Sequence, residues 1–407
     1  MSDPRALLLD IWQQAVAAVD GRARVREALS QAERGGQPWQ AIAVGKAAGA
    51  MTLGALDALG SRLASALVIS KPGHFPAELD SHPHVEQWAA GHPVPDERSL
   101  AAGARLLEVL GAMPRECRVL LLISGGSSSL VEVLPARVGL ADLRRVSEWA
   151  LASGRDIVAI NAIRQHLSLI KGGRLLAHLG GRETLALLIS DVPGDDPDVI
   201  GSGLAGSGMI ESLPADLPSW LSDLFARGDS SHSDRSQSVQ RRVIASLANA
   251  LAAAEQAGRA AGLTTRKAER RFDGEVIGLA TRFCHELKMG AAGLAIWGGE
   301  STLKLPARPG RGGRNQHLAL AAARLLVSHE ELTVLAAGSD GTDGPTADAG
   351  AIVDSETLER GTLSGLDADD CLARADSGAF LEASGDLIHS GPTGTNVGDL
   401  VLGLKRV

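Results

Sequence analysis

The chain contains no tyrosine, and five phenylalanines and six tryptophans bring the aromatic share to only 3% of its 407 residues. Large rings therefore cannot dominate its core, although they supply much of the buried area in many proteins. Alanine, leucine, valine and 48 glycines fill the deficit. This composition predicts an interior of small side chains, with helices packed closely on sheets.

Cysteine is also scarce, with Cys117, Cys284 and Cys371 widely spaced along the chain. Three distant cysteines fit neither a disulfide framework nor a CxxC-type zinc site. We interpret them as small buried hydrophobic residues of a protein in a reducing compartment. The cytoplasm is the expected location.

The chain has no surplus of basic residues, because its formal net charge is -8. Nucleic acids and anionic membranes attract proteins through a positive field, so neither is an expected partner. No apolar run reaches the roughly 18 residues that span a bilayer, and the N-terminus has helical periodicity without a basic leader. We expect small-molecule ligands, in a protein that is a monomer or a homodimer.

Several short apolar runs end in clusters of Gly, Ser or Asp: AIAVGK, SALVISKPGH, RVLLLISGGSSS, TLALLISDVPGDD, GLAIWGGES and LTVLAAGSDGTDG. Such runs are typical of strands covered on both faces, and helical segments such as ERSLAAGARLLEVLGAM lie between them. We predict an α/β fold with two domains, largely parallel sheets and an interdomain active-site cleft. A Pro/Ser/Asp-rich segment at 211–240 places the boundary near residue 235, between a Rossmann-like domain (1–235) and a second α/β domain (236–407).

A Gly/Ser loop follows the third of these runs, in the order Ser124, Gly125, Gly126, Ser127 and Ser128. Adjacent glycines let backbone N–H groups converge and serines add hydroxyl donors, which suits a phosphate. A plain turn between strand and helix explains the stretch equally well when it is taken alone, because GxxxxGK[ST] is absent.

Acidic residues follow two other strands. Asp191 is placed to orient or deprotonate a hydroxyl group, although an Asx-turn is the common role of such an aspartate. Asp340 and Asp343 lie in GSDGTDG, where two carboxylates could bind Mg²⁺. A rigid Gly/Asp turn accounts for that pair at least as well.

Two cations stand among small residues. Lys46, in AIAVGKAAGAM, needs an anionic partner or a wet cleft, since an unpaired buried ammonium group is costly. It is not a Walker lysine, because Gln40 occupies the position of the motif's first Gly. Arg314, in PGRGGRNQ, opens a helix whose dipole opposes it unless an anion shares the site.

Other polar residues complete the predicted substrate site. His92 lies in a constrained Gly-His-Pro loop, where it positions substrate or is structural, and no GxSxG elbow accompanies it. Arg164 and Lys171 face an anionic substrate or cap helix ends, two alternatives that spacing leaves open. Asn315, beside Arg314, is the fourth predicted substrate-binding residue.

The order of nine motifs carries a family resemblance: VGKAAGAM, AGHPVPD, SGGSSSL, IRQHLSLIKGG, SDVPGDDPDVIGSG, GGESTLKL, GRGGRNQ, GSDGTDGPTADAGA and GPTGTNVGDL. From about residue 5 to 405 the chain resembles the class II glycerate 2-kinases, whose C-terminal domain is called MOFRL. The resemblance implies Mg²⁺-dependent transfer of the ATP γ-phosphoryl group to the 2-hydroxyl of D-glycerate. It also implies that Lys46 and Arg314 are catalytic cations, that Asp191 meets the reacting hydroxyl and that the Gly/Ser loop binds ligand.

The chain departs from the family pattern at Ser127, Gln165, His317 and Gly398, where the family usually has Gly, a basic residue, an acid and Asn. These changes leave the chemistry intact and bear on substrate identity. Two other functions compete with the kinase. Older family members were labelled hydroxypyruvate reductases, but the GxGxxG motif of an NAD(P)-binding enzyme is absent. A non-catalytic sugar-acid-binding protein would keep the Gly and Arg loops without needing Asp191.

Overall fold

The computed structural model describes residues 3–30, 36–153, 157–210, 212–227 and 239–407. The chain forms two compact units. Unit 1 comprises Met1–Val19, Ser246–Thr393 and Val397–Val407, and unit 2 comprises Asp20–Ala245 with Gly394–Asn396. The predicted boundary near residue 235 lies outside the described residues. The division also differs from the predicted one because each unit includes a short piece from the far end of the chain.

Helices and strands are numbered along the chain. The helices are α1 (Pro4–Ala17), α2 (Gly21–Ser30), α3 (Ala48–Leu59), α4 (Glu97–Ala112), α5 (Ser127–Leu130), α6 (Leu140–Ala152), α7 (Ile157–Leu167), α8 (Ser219–Arg227), α9 (Leu247–Ala260), α10 (Val276–Met289), α11 (Arg314–Leu326), α12 (Thr357–Leu363), α13 (Ala368–Ala373) and α14 (Ser377–Ala383). The strands are β1 (Trp39–Val44), β2 (Leu63–Ser70), β3 (Val85–Ala89), β4 (Arg118–Ile123), β5 (Thr184–Ile189), β6 (Gln240–Ala245), β7 (Thr265–Lys267), β8 (Phe272–Glu275), β9 (Gly293–Thr302), β10 (Leu332–Gly338), β11 (Gly350–Val353), β12 (Leu387–Ile388) and β13 (Asp399–Lys405). The six apolar runs singled out in the sequence are β1, β2, β4, β5, β9 and β10.

Unit 2 is built on a six-stranded sheet in the order β3-β2-β1-β4-β5-β6, and every pairing in it is parallel. This is the doubly wound Rossmann order, in which the chain reverses its direction of winding between β1 and β4. All six residues of β4 and all six of β5 are buried, as expected of strands covered on both faces. The α/β class predicted from the sequence is confirmed, and the domain bounds 1–235 stay a prediction.

Small residues let the helices of unit 2 approach closely. Gly54 of α3 has no room for a side chain, because a Cβ there would lie 2.3 Å from the carbonyl oxygen of Arg22 in α2.

The helix α4 begins at a capping box, in which the Asp96 carboxylate accepts hydrogen bonds from the N–H groups of Arg98 and Ser99. The predicted helix-on-sheet interior of small side chains is what the structure contains.

Unit 1 is built on a mixed sheet in the order β12-β11-β10-β13-β9-β7, with β8 also paired to β9. The pairings of β10 with β11 and β13, of β11 with β12 and of β13 with β9 are antiparallel. Only β7 and β8 run parallel to β9. The expectation of largely parallel sheets therefore holds for unit 2 and is wrong for unit 1, because buried runs of this length occur in either direction when helices cover the sheet.

The first helix belongs to unit 1 because its contacts lie there. Leu8, Ile11 and Trp12 of α1 are buried, and the helix packs on α9 and β13. The Arg5 guanidinium donates to the carboxylates of Asp354, at 2.5 Å, and Asp386, at 2.6 Å. The sequence analysis placed α1 in the first domain because it precedes the Rossmann strands, and that placement is wrong.

All three cysteines are free and buried, which confirms their interpretation as small core residues. Burial raises the pKa of each thiol, and that of Cys284 reaches about 11. In the described part of the chain, no helix has the length and hydropathy required to cross a bilayer.

Candidate functional site

Three neighbouring strands of unit 2 deliver the main candidate residues to one edge of the sheet. Lys46 follows β1, the Gly/Ser loop follows β4 and Asp191 follows β5, and these strands are adjacent and parallel. The β1 and β4 ends flank the point where the winding reverses, which is where open α/β sheets bind ligands. The structure thus brings Lys46, the loop and Asp191 together.

The loops after β1 and β4 are locked to each other. The N–H of Lys46 donates to the carbonyl of Gly125 at 2.9 Å, and the hydroxyl of Ser124 accepts from the N–H of Ala47 at 3.0 Å. Gly45 has a φ of +131°, and a Cβ there would lie 2.2 Å from the Ser124 hydroxyl oxygen. Only glycine permits both this backbone conformation and this approach.

Gly125 holds the Asp191 carboxylate at close range. A Cβ on Gly125 would lie 2.0 Å from Asp191 Oδ2 and 2.0 Å from Asn396 Nδ2. The Asn396 amide in turn donates to Asp191 Oδ2 at 3.1 Å. Sequence reasoning missed Asn396 as a site residue, although it lies in GPTGTNVGDL, one of the nine motifs, and its Gly-rich context was the available signal.

Replacing Gly125 with alanine is expected to lower kcat of the predicted kinase reaction at least about 100-fold. The added methyl group displaces Asp191, and small misplacements of reacting groups have effects of this size. Steady-state kinetics on the purified variant measure this. The control is Gly111→Ala in α4, where an added Cβ meets nothing within 4 Å. Normal kcat in the Gly125 variant would contradict the close packing of Asp191 on this loop.

Gly126 lies between the side chains of Lys46 and His92. Its φ is +85°, and a Cβ at this position would lie 3.1 Å from His92 Nε2 and 3.2 Å from Lys46 Cγ. Lys46 is partly exposed while its neighbours in the turn are buried. The imidazole of His92 and the aliphatic stem of Lys46 therefore both lie close to Gly126.

Ser127 fits because Gly201 leaves space for it. The Ser127 side chain is fully buried, and a Cβ on Gly201 would lie 2.4 Å from its hydroxyl oxygen. Among the described residues that hydroxyl has no hydrogen-bond partner. The Ser128 hydroxyl, by contrast, lies 2.8 Å from that of Ser202, which donates to Asn161.

Arg164 and Lys171 line one cavity with Ser128 and Ser129. The Lys171 ammonium group is 1% exposed and bonds to the equally buried carboxylate of Glu132. The Lys171 ammonium group is therefore engaged by Glu132 and does not cap a helix end, and Arg164 lines the same cavity. Sequence reasoning missed Glu132, because an isolated Glu between apolar residues has no distinguishing pattern.

Arg314, the first residue of α11, lies in unit 1. Its guanidinium donates to Asp399 at 2.7 Å and to Glu300 at 2.5 Å. Burial lowers the pKa of Arg314, but the two carboxylates outweigh it and hold the pKa above its ordinary value. Asp399 is 2% exposed, so removing the guanidinium would leave a buried carboxylate uncompensated and destabilise unit 1 by about 3 kcal/mol.

Asn315 and Asp343 meet at the start of the same helix. The Asp343 carboxylate accepts from the backbone N–H groups of Asn315, at 3.1 Å, and Gln316, at 2.8 Å. It therefore caps α11 from a distant loop, which satisfies donors that every helix leaves unpaired. Burial raises the pKa of Asp343 to about 7, against the opposing effect of these N–H donors.

Asp340 accepts hydrogen bonds from the N–H of Thr342, at 2.9 Å, and from its hydroxyl, at 3.1 Å. Both of these bonds use Asp340 Oδ1, whereas both oxygens of Asp343 are engaged at the start of α11. Among the residues that the structure describes, no three His, Cys, Asp or Glu side chains form a metal-binding group. The assignment of Asp340 and Asp343 as Mg²⁺ ligands stays a prediction.

Because burial raises the pKa of Asp343, we expect the free energy of unfolding to depend on pH. Because its folded pKa is near 7 and its unfolded value is 3.8, the folded state holds the proton more tightly, and stability is lost as the pH rises from about 4 to 7. The loss is up to about 4 kcal/mol. Thermal melting of the wild type and Asp343→Asn from pH 4.5 to 7.5 measures it. A melting-temperature difference that stays constant across this range would contradict the raised pKa.

The fold and this site define a two-unit α/β protein with a Gly/Ser loop at the switch point of a parallel sheet and a carboxylate after the next strand. Enzymes of small-molecule metabolism often have sites in this place. The family model described as a domain of unknown function, DUF4147, matches residues 7–208, and that of the MOFRL family matches residues 293–399. The chain belongs to the class II glycerate kinase family, which combines these two domains, and the resemblance found in the sequence is confirmed.

Individual relatives match this chain over all or nearly all of their length. The D-glycerate 2-kinase of Thermotoga maritima is 35% identical, with 99% of this chain and 100% of that protein covered. A putative hydroxypyruvate reductase of Agrobacterium vitis is also 35% identical, over 97% of this chain and 93% of the relative. The crystal structure of Thermotoga maritima glycerate kinase matches with a TM-score of 0.81 and 31% identity, over 99% of both chains.

Proposed function

We propose that the protein is a glycerate 2-kinase, which transfers the γ-phosphoryl group of ATP to the 2-hydroxyl of D-glycerate. The observation that carries this proposal is the assembly of Lys46, Gly125 and Asp191 at the ends of three adjacent strands. It combines a cation, a glycine position with no room for a side chain and a carboxylate. Phosphoryl transfer needs these parts, because its catalysis is mainly positioning and charge stabilisation.

In the proposed reaction the Asp191 carboxylate accepts a hydrogen bond from the 2-hydroxyl and takes its proton during transfer. The hydroxyl oxygen bonds to the γ-phosphorus, the bond from that phosphorus to the β–γ bridging oxygen breaks, and ADP leaves with the electron pair. Asn396 orients the carboxylate by its 3.1 Å hydrogen bond. The ammonium group of Lys46 stabilises the negative charge on the phosphoryl oxygens.

The remaining predicted residues serve the two substrates. The loop from Ser124 to Ser128 binds phosphate or the glycerate carboxylate through its N–H and hydroxyl groups, and His92, which lies close to Gly126, binds substrate beside it. Arg164 and Lys171 bind the acceptor at the cavity behind the loop. For Arg314 and Asn315, catalytic and substrate-binding roles stay predictions, since their contacts in unit 1 also explain them structurally.

ATP is the proposed phosphoryl donor, and Mg²⁺ is proposed to enter with its phosphates. Mg²⁺ usually binds through substrate phosphates and waters with one or two carboxylates, so a dedicated protein cage is not required. When bound, the ion neutralises charge on the β- and γ-phosphates. The steps assigned above to Lys46, Asp191 and Asn396 do not depend on its position.

A coupled ADP-release assay tests the function, with D-glycerate, tartronate, tartrate and hydroxypyruvate as acceptors and NADH oxidation recorded in parallel. We expect ADP release with glycerate, and 2-phosphoglycerate as the product by ³¹P NMR. NADH consumption without ATP would instead establish a reductase, the activity in the name of the Agrobacterium vitis relatives. Binding of glycerate without either reaction would establish a non-catalytic sugar-acid-binding protein.

A further inference from the structure

The loop that follows β10 in unit 1 anchors a segment near the C-terminus, residues 393–398. Ser339, the first residue of this loop, is 1% exposed. Its hydroxyl accepts a hydrogen bond from the N–H of Val397 at 2.8 Å, and its own N–H donates to the carbonyl of Gly398 at 2.9 Å. Its carbonyl accepts from the hydroxyl of Thr393 at 2.5 Å. The hydroxyl, the N–H and the carbonyl of Ser339 therefore all bond to this one segment.

Asn396 lies in the anchored segment, directly before Val397. Its side-chain amide donates to Asp191 Oδ2 at 3.1 Å, and the residue is 8% exposed. Asn396 and Val397 share a peptide group, which is planar and stiff, so a shift of the Val397 N–H moves the backbone of Asn396 as well. The bond from Val397 to the Ser339 hydroxyl therefore helps to set where the Asn396 amide meets the carboxylate.

The stretch just before Asn396 is fixed as well. The carbonyl of Gly394 accepts from the N–H of Gly21, the first residue of α2, at 3.2 Å. Gly394 has a φ of +77°, and a Cβ there would lie 2.9 Å from the Cβ of Ala50. Because the chain is held on both sides of Asn396, few backbone torsions remain to absorb a displacement at either side.

Ser339 belongs to GSDGTDG, a motif that no step of the proposed reaction uses. Its next residue, Asp340, also bonds to the segment, because the Asp340 carbonyl accepts from the N–H of Thr393 at 3.3 Å. A Cβ on Gly341 would lie 1.9 Å from the carbonyl oxygen of Gly391. Three successive residues of the motif therefore pack on the chain that leads to Asn396.

We propose that Ser339 is a positioning residue for the phosphoryl-transfer step: its hydroxyl holds the Val397 N–H and thereby keeps the Asn396 amide on the Asp191 carboxylate. This inference rests on the proposed kinase function. Because Ser339 is almost completely buried, it acts through Asn396 and not on a substrate. Its loss should therefore affect the rate of the chemical step and not the binding of glycerate or ATP.

The test is Ser339→Ala, which removes the acceptor of the Val397 N–H and keeps the backbone bonds of residue 339. We expect kcat with D-glycerate to fall about 10- to 100-fold, because small misplacements of reacting groups have effects of this size. The KM values for glycerate and ATP should stay within about twofold, as for an interaction made only in the transition state. A normal kcat with a lowered melting temperature would overturn the positioning role and leave a purely structural one.

A double-mutant cycle with Asn396→Ala separates the two roles. In the Asn396→Ala background, Ser339→Ala should lower kcat no further, because its effect passes through the Asn396 amide. It should lower the melting temperature equally in both backgrounds, since the buried Val397 N–H loses its acceptor in each. Reductions in kcat that multiply in the double variant would show that Ser339 acts by another route and would overturn the proposal.

The matched control is Ser384→Ala, which changes another buried serine of unit 1, whose hydroxyl donates to the carbonyl of Leu381 at 3.3 Å. It should lower the melting temperature and leave kcat unchanged. If Ser339→Ala does not fold, Thr393→Val decides, because it removes the hydroxyl bond to the Ser339 carbonyl with little change of shape. A lowered kcat in Thr393→Val would support the proposal, and a normal kcat would overturn it.

The failure of this inference differs from the failure of the kinase function. An active wild type with normal kcat in Ser339→Ala refutes only the positioning role. A wild type without glycerate-dependent ADP release refutes the kinase function itself, and the positioning role with it.

Discussion

Replacing Lys46 with alanine is expected to lower kcat for ATP-dependent phosphorylation of D-glycerate about 1,000-fold, as expected for loss of a well-placed cation in phosphoryl transfer. The side-chain stem of Lys46 lies close to Gly126, and the Lys46 backbone is fixed by the hydrogen bond to Gly125. The backbone contacts survive the substitution, so the melting temperature should change little. Coupled ADP release and circular dichroism melting measure the two effects.

Lys304→Ala is the control for this variant, because Lys304 is an exposed lysine of unit 1. It should keep wild-type kcat. A Lys46→Ala enzyme with near-normal kcat would defeat the assignment of Lys46 as the cation that stabilises the transition state.

Asp191→Asn should lower kcat about 100- to 10,000-fold, the usual range for loss of a general base, while glycerate and ATP still bind. The amide oxygen can accept the hydrogen bond from Asn396, so the position next to Gly125 is conserved. Isothermal titration measures binding, and single-turnover phosphoryl transfer measures chemistry.

The control is Asp195→Asn in the same loop, which makes the same change of charge a few residues away and should retain activity. Unchanged turnover in Asp191→Asn would remove this carboxylate from the reaction. If the wild type itself binds glycerate without turnover, Asp191 has no catalytic role to lose, and the binding-protein alternative stands.

Much of unit 2 could be predicted because its signals are local. Uninterrupted apolar runs predicted β1, β4 and β5, and the polar residues directly after them became Lys46, the Gly/Ser loop and Asp191 at one edge. The edge strand β6 lacked an uninterrupted apolar run, because its sequence QRRVIA carries two arginines, and in the structure most of the strand is at least partly exposed. Edge strands need cover on fewer sides, so their sequences resemble loops.

The contacts that complete the site could not be predicted, because they join residues far apart in sequence. Asn396 reaches Asp191 across 205 positions, and Glu132 meets Lys171 across 39. The roles of Asp343 as a helix cap and of Arg314 as the partner of Asp399 likewise depend on which loops meet. The homodimer and the cytoplasmic location stay predictions.

By itself the sequence determined the α/β class, the family and the order of the chemical groups at the strand ends, since these follow from hydrophobic pattern and local motifs. The tertiary structure alone decided the antiparallel direction of most unit 1 strands, the place of α1 in that unit and the partner of each buried charge. The physical reason is that burial and pairing are properties of three-dimensional neighbours. A carboxylate such as Glu132 becomes meaningful only when Lys171 is packed against it.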